Sequence, residues 1–192
     1  MNSGEIAIAN SHLSTIRFYP EAYNISEFSF YYAFCQIMSD EYAEYRSLFD
    51  DALKHANGNK DILYYRMIDR LIRARCLTEA EMLLNEVCEC YSHTRQMDAL
   101  WVAYYYASKQ TRDKAIDMAT KLTQTSAGDF YSAKVLVRIY LCENMSNEAL
   151  QEVEAILANW GSNRWAQRIH YLITSGKYKS SETEDDFDED EE

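Results

Sequence analysis

The chain has 192 residues, 47% of them hydrophobic, with 5 glycines, 1 proline and a net charge of −12. That length supports one sizeable core, and so few glycines and prolines exclude a fold that turns tightly after every strand. The acidic balance argues against nucleic acid as a partner; no run of 18 apolar residues and no basic-then-apolar leader marks a transmembrane segment or an export signal, so a cytoplasmic location is expected.

Residues 1–25 hold Pro20 and no clear period, and are expected to form a short helix or an arm. Beyond them, apolar residues recur at helical spacing in four stretches, 26–38, 60–74, 95–109 and 129–143. A second helix follows each. Three of these are LTEAEMLLNEV (77–87), TRDKAIDMATKL (111–122) and SNEALQEVEAIL (146–157). Their early alanines, Ala80, Ala115 and Ala149, recur at an almost constant interval, the length of one helical repeat. Small or apolar residues follow each at fixed spacing: Leu84 and Val87, Ala119 and Leu122, Val153 and Ile156. A degraded copy upstream has Tyr45 at the alanine position, with Phe49 and Ala52 after it. Gly58, Gly128 and Gly161 fall between the helical pairs, with His93 in the equivalent place of the remaining copy. Glycine suits a position just past a helix end because it takes positive φ without strain.

The repeating unit is therefore helix, tight turn, helix. One such unit cannot bury its apolar faces alone, whereas stacked units can. Residues 163–176 follow the fourth unit without a partner, with Trp165, Ile169 and Leu172 or Ile173 on one stripe and Arg164, Gln167 and Arg168 elsewhere. That pattern predicts a capping helix. The expected fold is all-α, a solenoid of about four helix-turn-helix repeats over residues 26–176 with a C-terminal capping helix.

Residues 177–192 carry nine acids and two lysines, leaving the body only mildly acidic. Such a run is expected to be a disordered acidic tail. Ser181 and Thr183 each have an acid three residues on and offer phosphorylation sites to an acidophilic kinase. Alternatively the tail, with Phe187 among its acids, folds back as a built-in competitor on a basic groove formed by Arg66, Arg73, Lys134 and Arg138.

No phosphate loop, dinucleotide fingerprint, nucleophile elbow or zinc-protease helix is present. Cys88, Cys90 and His93 are spaced so that the two cysteines point to nearly opposite sides of a helix, and four convergent zinc ligands are not in view. The five cysteines read as reduced, mostly buried small hydrophobes. His12, His55 and His170 are isolated. No metal, no cofactor and no enzymatic activity are expected.

A helix-turn-helix unit of this length, with an aromatic late in the first helix and a small residue early in the second, resembles the tetratricopeptide repeat. Tyr106 and Tyr140 each lie nine residues before their alanine, where that family carries its tyrosine, and Ala103 and Val137 lie three before them, at its small-residue position. The match covers 26–176 loosely and 95–161 best. Gln36 and Leu71 replace the late aromatic in the first two copies, Tyr45 replaces the alanine, and the proline that usually ends a repeat is absent.

The resemblance implies that the first helices line a concave groove. On the 95–109 helix the core stripe is Ala99, Val102, Ala103 and Tyr106, and the groove face holds Met97, Leu100, Trp101 and Tyr104, with Tyr105 on the boundary. The preceding first helix offers Ile62, Tyr65, Arg66, Asp69 and Arg73, and the following one Tyr131, Lys134, Val135 and Arg138. An aromatic floor between basic flanks suits an extended or helical peptide bearing acids or a free carboxylate. The other interpretation is that these aromatics pack against neighbouring repeats and the cations are a solvated face. The implied function is protein–protein interaction, as a scaffold or adaptor subunit of a hetero-complex, or as a chaperone or assembly factor for one client. The run DILYYRMIDRLIRARCLTEAEMLLNEV followed by DALWVAYYYAS is also similar to the coatomer epsilon subunit, which would imply a vesicle-coat role in protein transport.

Overall fold

A computed structural model describes residues 3–16, 25–39, 42–56, 58, 60–108, 111–125 and 129–178. Among the described residues there are ten α-helices and no strand. In chain order they are α1 (Ser3–Ile16), α2 (Ile25–Met38), α3 (Tyr42–Lys54), α4 (Lys60–Arg73) and α5 (Leu77–Cys90). Then come α6 (Arg95–Ala107), α7 (Arg112–Thr125), α8 (Phe130–Cys142), α9 (Ser146–Asn159) and α10 (Arg164–Thr174). The segment before residue 26 thus holds a full helix, α1, packed on α2.

The chain divides into two compact units, one ending at Tyr91 and one beginning at Ser92. In the first, α2 packs on α3 and α4 on α5. In the second, α6 packs on α7 and α8 on α9, with α6 also against α8 and α10 against α9. Each unit is a cluster of helix hairpins.

The periodic stripe is buried except at Tyr45 and Leu122, which are half-buried. Ala80, Ala115 and Ala149 are all fully buried, as are Phe49, Ala52, Leu84, Val87, Ala119, Val153 and Ile156. Methyl groups there leave room for the neighbouring helix to approach closely, and the larger residues one and two turns on fill the space behind it.

Local sequence explains where the helices begin and end. Thr94, Asp129 and Asn163, which recur with the same period as the alanines, cap α6, α8 and α10. Each side-chain oxygen accepts a hydrogen bond from the amide three residues on, at 3.3, 3.0 and 2.9 Å, satisfying a donor that the helix itself leaves unpaired. The hairpin turns repeat as well. After α4 the Cys76 amide donates to the Leu71 carbonyl at 2.9 Å, and after α8 the Met145 amide donates to Tyr140 at 2.8 Å. Between them stand Arg75 (φ 65°) and Asn144 (φ 58°) in the left-handed region. After α10 the Lys177 amide bonds the Leu172 carbonyl in the same way, with Gly176 at φ 65°. This helix-ending turn closes orphan carbonyls and requires one left-handed residue.

The glycine pattern in the sequence points elsewhere. Gly58 has positive φ (97°), Gly161 does not, and Gly128 lies outside the described residues. The left-handed residues of the two tight hairpins are an arginine and an asparagine, which composition does not flag. Helix α6 stops at Ala107, short of the expected 109. The Ser108 amide still bonds the Tyr104 carbonyl, and the Thr111 hydroxyl donates to the Tyr105 carbonyl at 2.8 Å.

Candidate partner-binding surface

Helix α6 carries an aromatic cluster on its second half. Trp101 stacks on Tyr105 (centroids 5.6 Å apart, 28° between planes) and meets Tyr104 edge to face (5.6 Å, 88°). Tyr104 and Tyr105 complete the triangle at 5.7 Å. The Lys114 ammonium stands 3.8 Å from the centre of the Tyr105 ring, a cation–π distance. All three rings are half-buried, so each keeps an edge in solvent while its neighbours hold it in place.

Helix α8, packed against α6, adds Tyr131, 42% exposed, with Lys134 and Arg138 half-buried at the next turns. The Lys134 ammonium lies 5.3 Å from the Phe130 ring, which in turn meets the buried Trp165 edge to face at 5.4 Å. Val135 is buried. Trp101, Tyr104, Tyr131, Lys134 and Arg138 are therefore carried by two adjoining first helices of one unit.

Several expected groove residues are placed otherwise. Met97 and Leu100 are buried, at 0% and 3% exposure, so they are core. Along the middle of α6, Ala99, Val102 and Ala103 are buried too, so the buried face is wider than one stripe. Tyr65 is buried at 6%. The five α4 residues, Ile62, Tyr65, Arg66, Asp69 and Arg73, belong to the other unit. There Arg66 donates two hydrogen bonds to the Glu27 carboxylate (2.7 and 3.2 Å) and lies 4.8 Å from the Phe30 ring. Arg73 and Asp69 pair with each other at 3.0 Å. Sequence alone misses Arg70, whose guanidinium lies 5.2 Å from the exposed Tyr31 ring. The i, i+3/i+4 spacing of α4 gives its own pairs, but Glu27 and Tyr31 come from a different helix.

Tyr106, expected in the core, is half-buried. Its hydroxyl donates to the Glu143 carboxylate, to which Arg112 also donates, and the Arg112 guanidinium lies 5.0 Å from the Tyr106 ring. Burial and the bond to Glu143 raise the Tyr106 phenol well above its ordinary value. Burial works to raise Glu143, but the hydrogen bonds from Tyr106 and Arg112 outweigh it and hold the carboxyl below the usual range. At the matching position of the next hairpin Tyr140 is fully buried, its hydroxyl 2.7 Å from that of Thr123. The first unit builds a similar cluster. Glu86 accepts two bonds from Arg46 (2.5 and 2.7 Å) and one from Tyr64 (2.5 Å). The Arg46 hydrogen bond leads in holding Glu86 low, while burial and Glu86 raise Tyr64.

The cysteines do not follow expectation. Cys35 is buried, and burial pushes its thiol up, but Cys88, Cys90 and Cys142 are exposed. Both Cys88 and Cys90 sit in the last turn of α5, and Cys142 is the last residue of α8. His93 pairs with Asp98 at 2.9 Å. Among the described residues no three His, Cys, Asp or Glu side chains converge to hold a metal. Ser181 and Thr183 lie outside the described residues.

The described residues are thus packed helix hairpins with a solvent-edged aromatic cluster beside a lysine. No helix among the described residues is long and apolar enough to cross a membrane. No family model, no curated protein and no solved structure matches the chain.

Proposed function

We propose that the protein is a non-enzymatic protein-interaction module, a tetratricopeptide-like α-solenoid acting as a scaffold or adaptor subunit. The partner segment lies on the α6–α8 face of the second unit. The observation that carries this is the Trp101–Tyr104–Tyr105 cluster. Three large rings held half in solvent on one helix, with Tyr131 exposed on the next, are the kind of apolar surface that marks interaction sites. Lys114 stands against the Tyr105 ring, and the neighbouring α8 carries Lys134 and Arg138, positive charge that favours a partner segment with acidic side chains. The repeating helix caps and hairpin turns support the repeat architecture.

The test is affinity for a partner isolated by native pull-down and identified by mass spectrometry. Trp101→Ala and Arg138→Glu are each expected to weaken binding by about tenfold, about 1.4 kcal/mol. Met97→Leu, a buried volume-conserving change, should leave it intact. Normal binding by both surface variants removes the α6–α8 face from consideration. A partner retained in a stable assembly fits the scaffold; one released on reaching its own complex fits a chaperone.

A further inference from the structure

Helix α10 presents an outward face with a chemistry of its own. Trp165, Ala166 and Ile169 are buried. The opposite stripe, at spacings of four and three residues, is Arg164, Arg168 and Tyr171, all exposed, with Tyr171 at 54%. Just past the helix the Lys177 ammonium donates to the Tyr171 hydroxyl at 2.7 Å and lies 5.1 Å from its ring. Helix α10 contains no acid. On its flank the half-buried His170 lies 3.8 Å from Glu154 of α9. The stripe thus carries three exposed cations and one exposed aromatic ring, with Lys177 against the ring.

We infer that residues 179–192 of the same chain, which lie outside the described residues, dock on this α10 stripe. The segment carries nine acids, one lysine and a single apolar side chain, Phe187, which complements a face of Arg164, Arg168, Tyr171 and Lys177 in both charge and ring content. It begins directly after Tyr178, at the C-terminal end of the stripe. Helix α10 is 11 residues long, about 16 Å at 1.5 Å per residue. Fourteen residues reach up to about 46 Å, so the segment can turn and run the whole stripe with slack. Attachment gives it an effective concentration of about millimolar, which offsets the small value of each exposed ion pair. The α8 cations are the poorer target, since Lys134 and Arg138 are half-buried. Docked there, the segment screens α10 from any other acidic chain, independently of whether the α6–α8 face binds a partner.

The experiment uses the full chain with the photocrosslinker benzoylphenylalanine in place of Phe187, irradiated at low protein concentration and mapped by mass spectrometry. The expected products are intramolecular and fall on residues 164–177. Their yield should drop at least fivefold at about 1 M salt, where the screening length is only about 3 Å. It should drop equally at low salt in Arg164→Glu with Arg168→Glu. If that variant loses its helical circular dichroism, the salt comparison on the parent chain decides alone. Crosslinks to α6 or α8, crosslinks scattered over the chain, products joining two chains, or a yield insensitive to salt would each overturn the proposal.

Discussion

Arg95 and Glu152 bring opposite charges into the interior of the second unit. Glu152 is 2% exposed and the Arg95 side chain 11%, with their closest atoms 2.7 Å apart. Desolvating each ion costs several kcal/mol, which their attraction roughly offsets, so the pair is worth little net but much to break. Arg95→Ala is expected to lower the unfolding free energy by about 3–5 kcal/mol, because it strands a buried carboxylate. Replacing both with apolar residues, Arg95→Met with Glu152→Leu, should return stability to within about 1 kcal/mol of the parent. Denaturant midpoints at unchanged slope check both. The pair is illegible in the sequence, since its members stand far apart along the chain and a charge on a surface helix reads as solvated. Arg75 is a second residue whose character only the backbone shows. An L-residue at φ 65° is strained by about 1–2 kcal/mol, and glycine loses part of that gain to its unfolded-state freedom. Arg75→Gly is therefore expected to stabilise by about 0.5–1 kcal/mol, read from the same denaturation curves.

Helices α3, α4 and α5 meet at Arg46, Tyr64 and Glu86, and α6, α7 and the end of α8 meet at Tyr106, Arg112 and Glu143. Both carboxyls are held below their ordinary value, so the stability they add is present above the unfolded value of about 4.3 and is lost as pH falls through the native one. Both phenols are raised, so their contribution is complete below about pH 10 and is lost as pH climbs beyond it. Stability measured against pH should fall at both ends. Tyr64→Phe with Tyr106→Phe should flatten the alkaline fall, and Arg112→Gln should soften the acid one. At this scale the sequence is most informative. The four first helices, their partners and the last helix are legible because a buried helical stripe and the even recurrence of Ala80, Ala115 and Ala149 are properties of order along the chain. The recurrence of Thr94, Asp129 and Asn163 is open to the same reading. Helix α1 escapes it, since its apolar residues keep no stripe. The depth of Tyr106 escapes it because it depends on Glu143, a partner from another helix.

Division of the chain at Tyr91 separates the candidate surface into parts of unequal standing. The residues expected on α4 lie in one unit, paired to Glu27 or to each other, while Trp101, Tyr104, Tyr131, Lys134 and Arg138 all lie in the other. The repeat pattern is silent on this division, because a period treats every copy alike. Fragment 92–192 has a core of its own, with Leu136, Tyr140, Val153 and Trp165 fully or nearly fully buried. At about 100 residues it is long enough to fold by itself, and arrays of helical hairpins can be cut between repeats. The fragment is expected to be helical by circular dichroism, to melt cooperatively, and to bind the partner of the full chain within about threefold of its affinity, about 0.7 kcal/mol. A folded fragment that loses binding by more than about tenfold would overturn the assignment of the binding surface to the α6–α8 face.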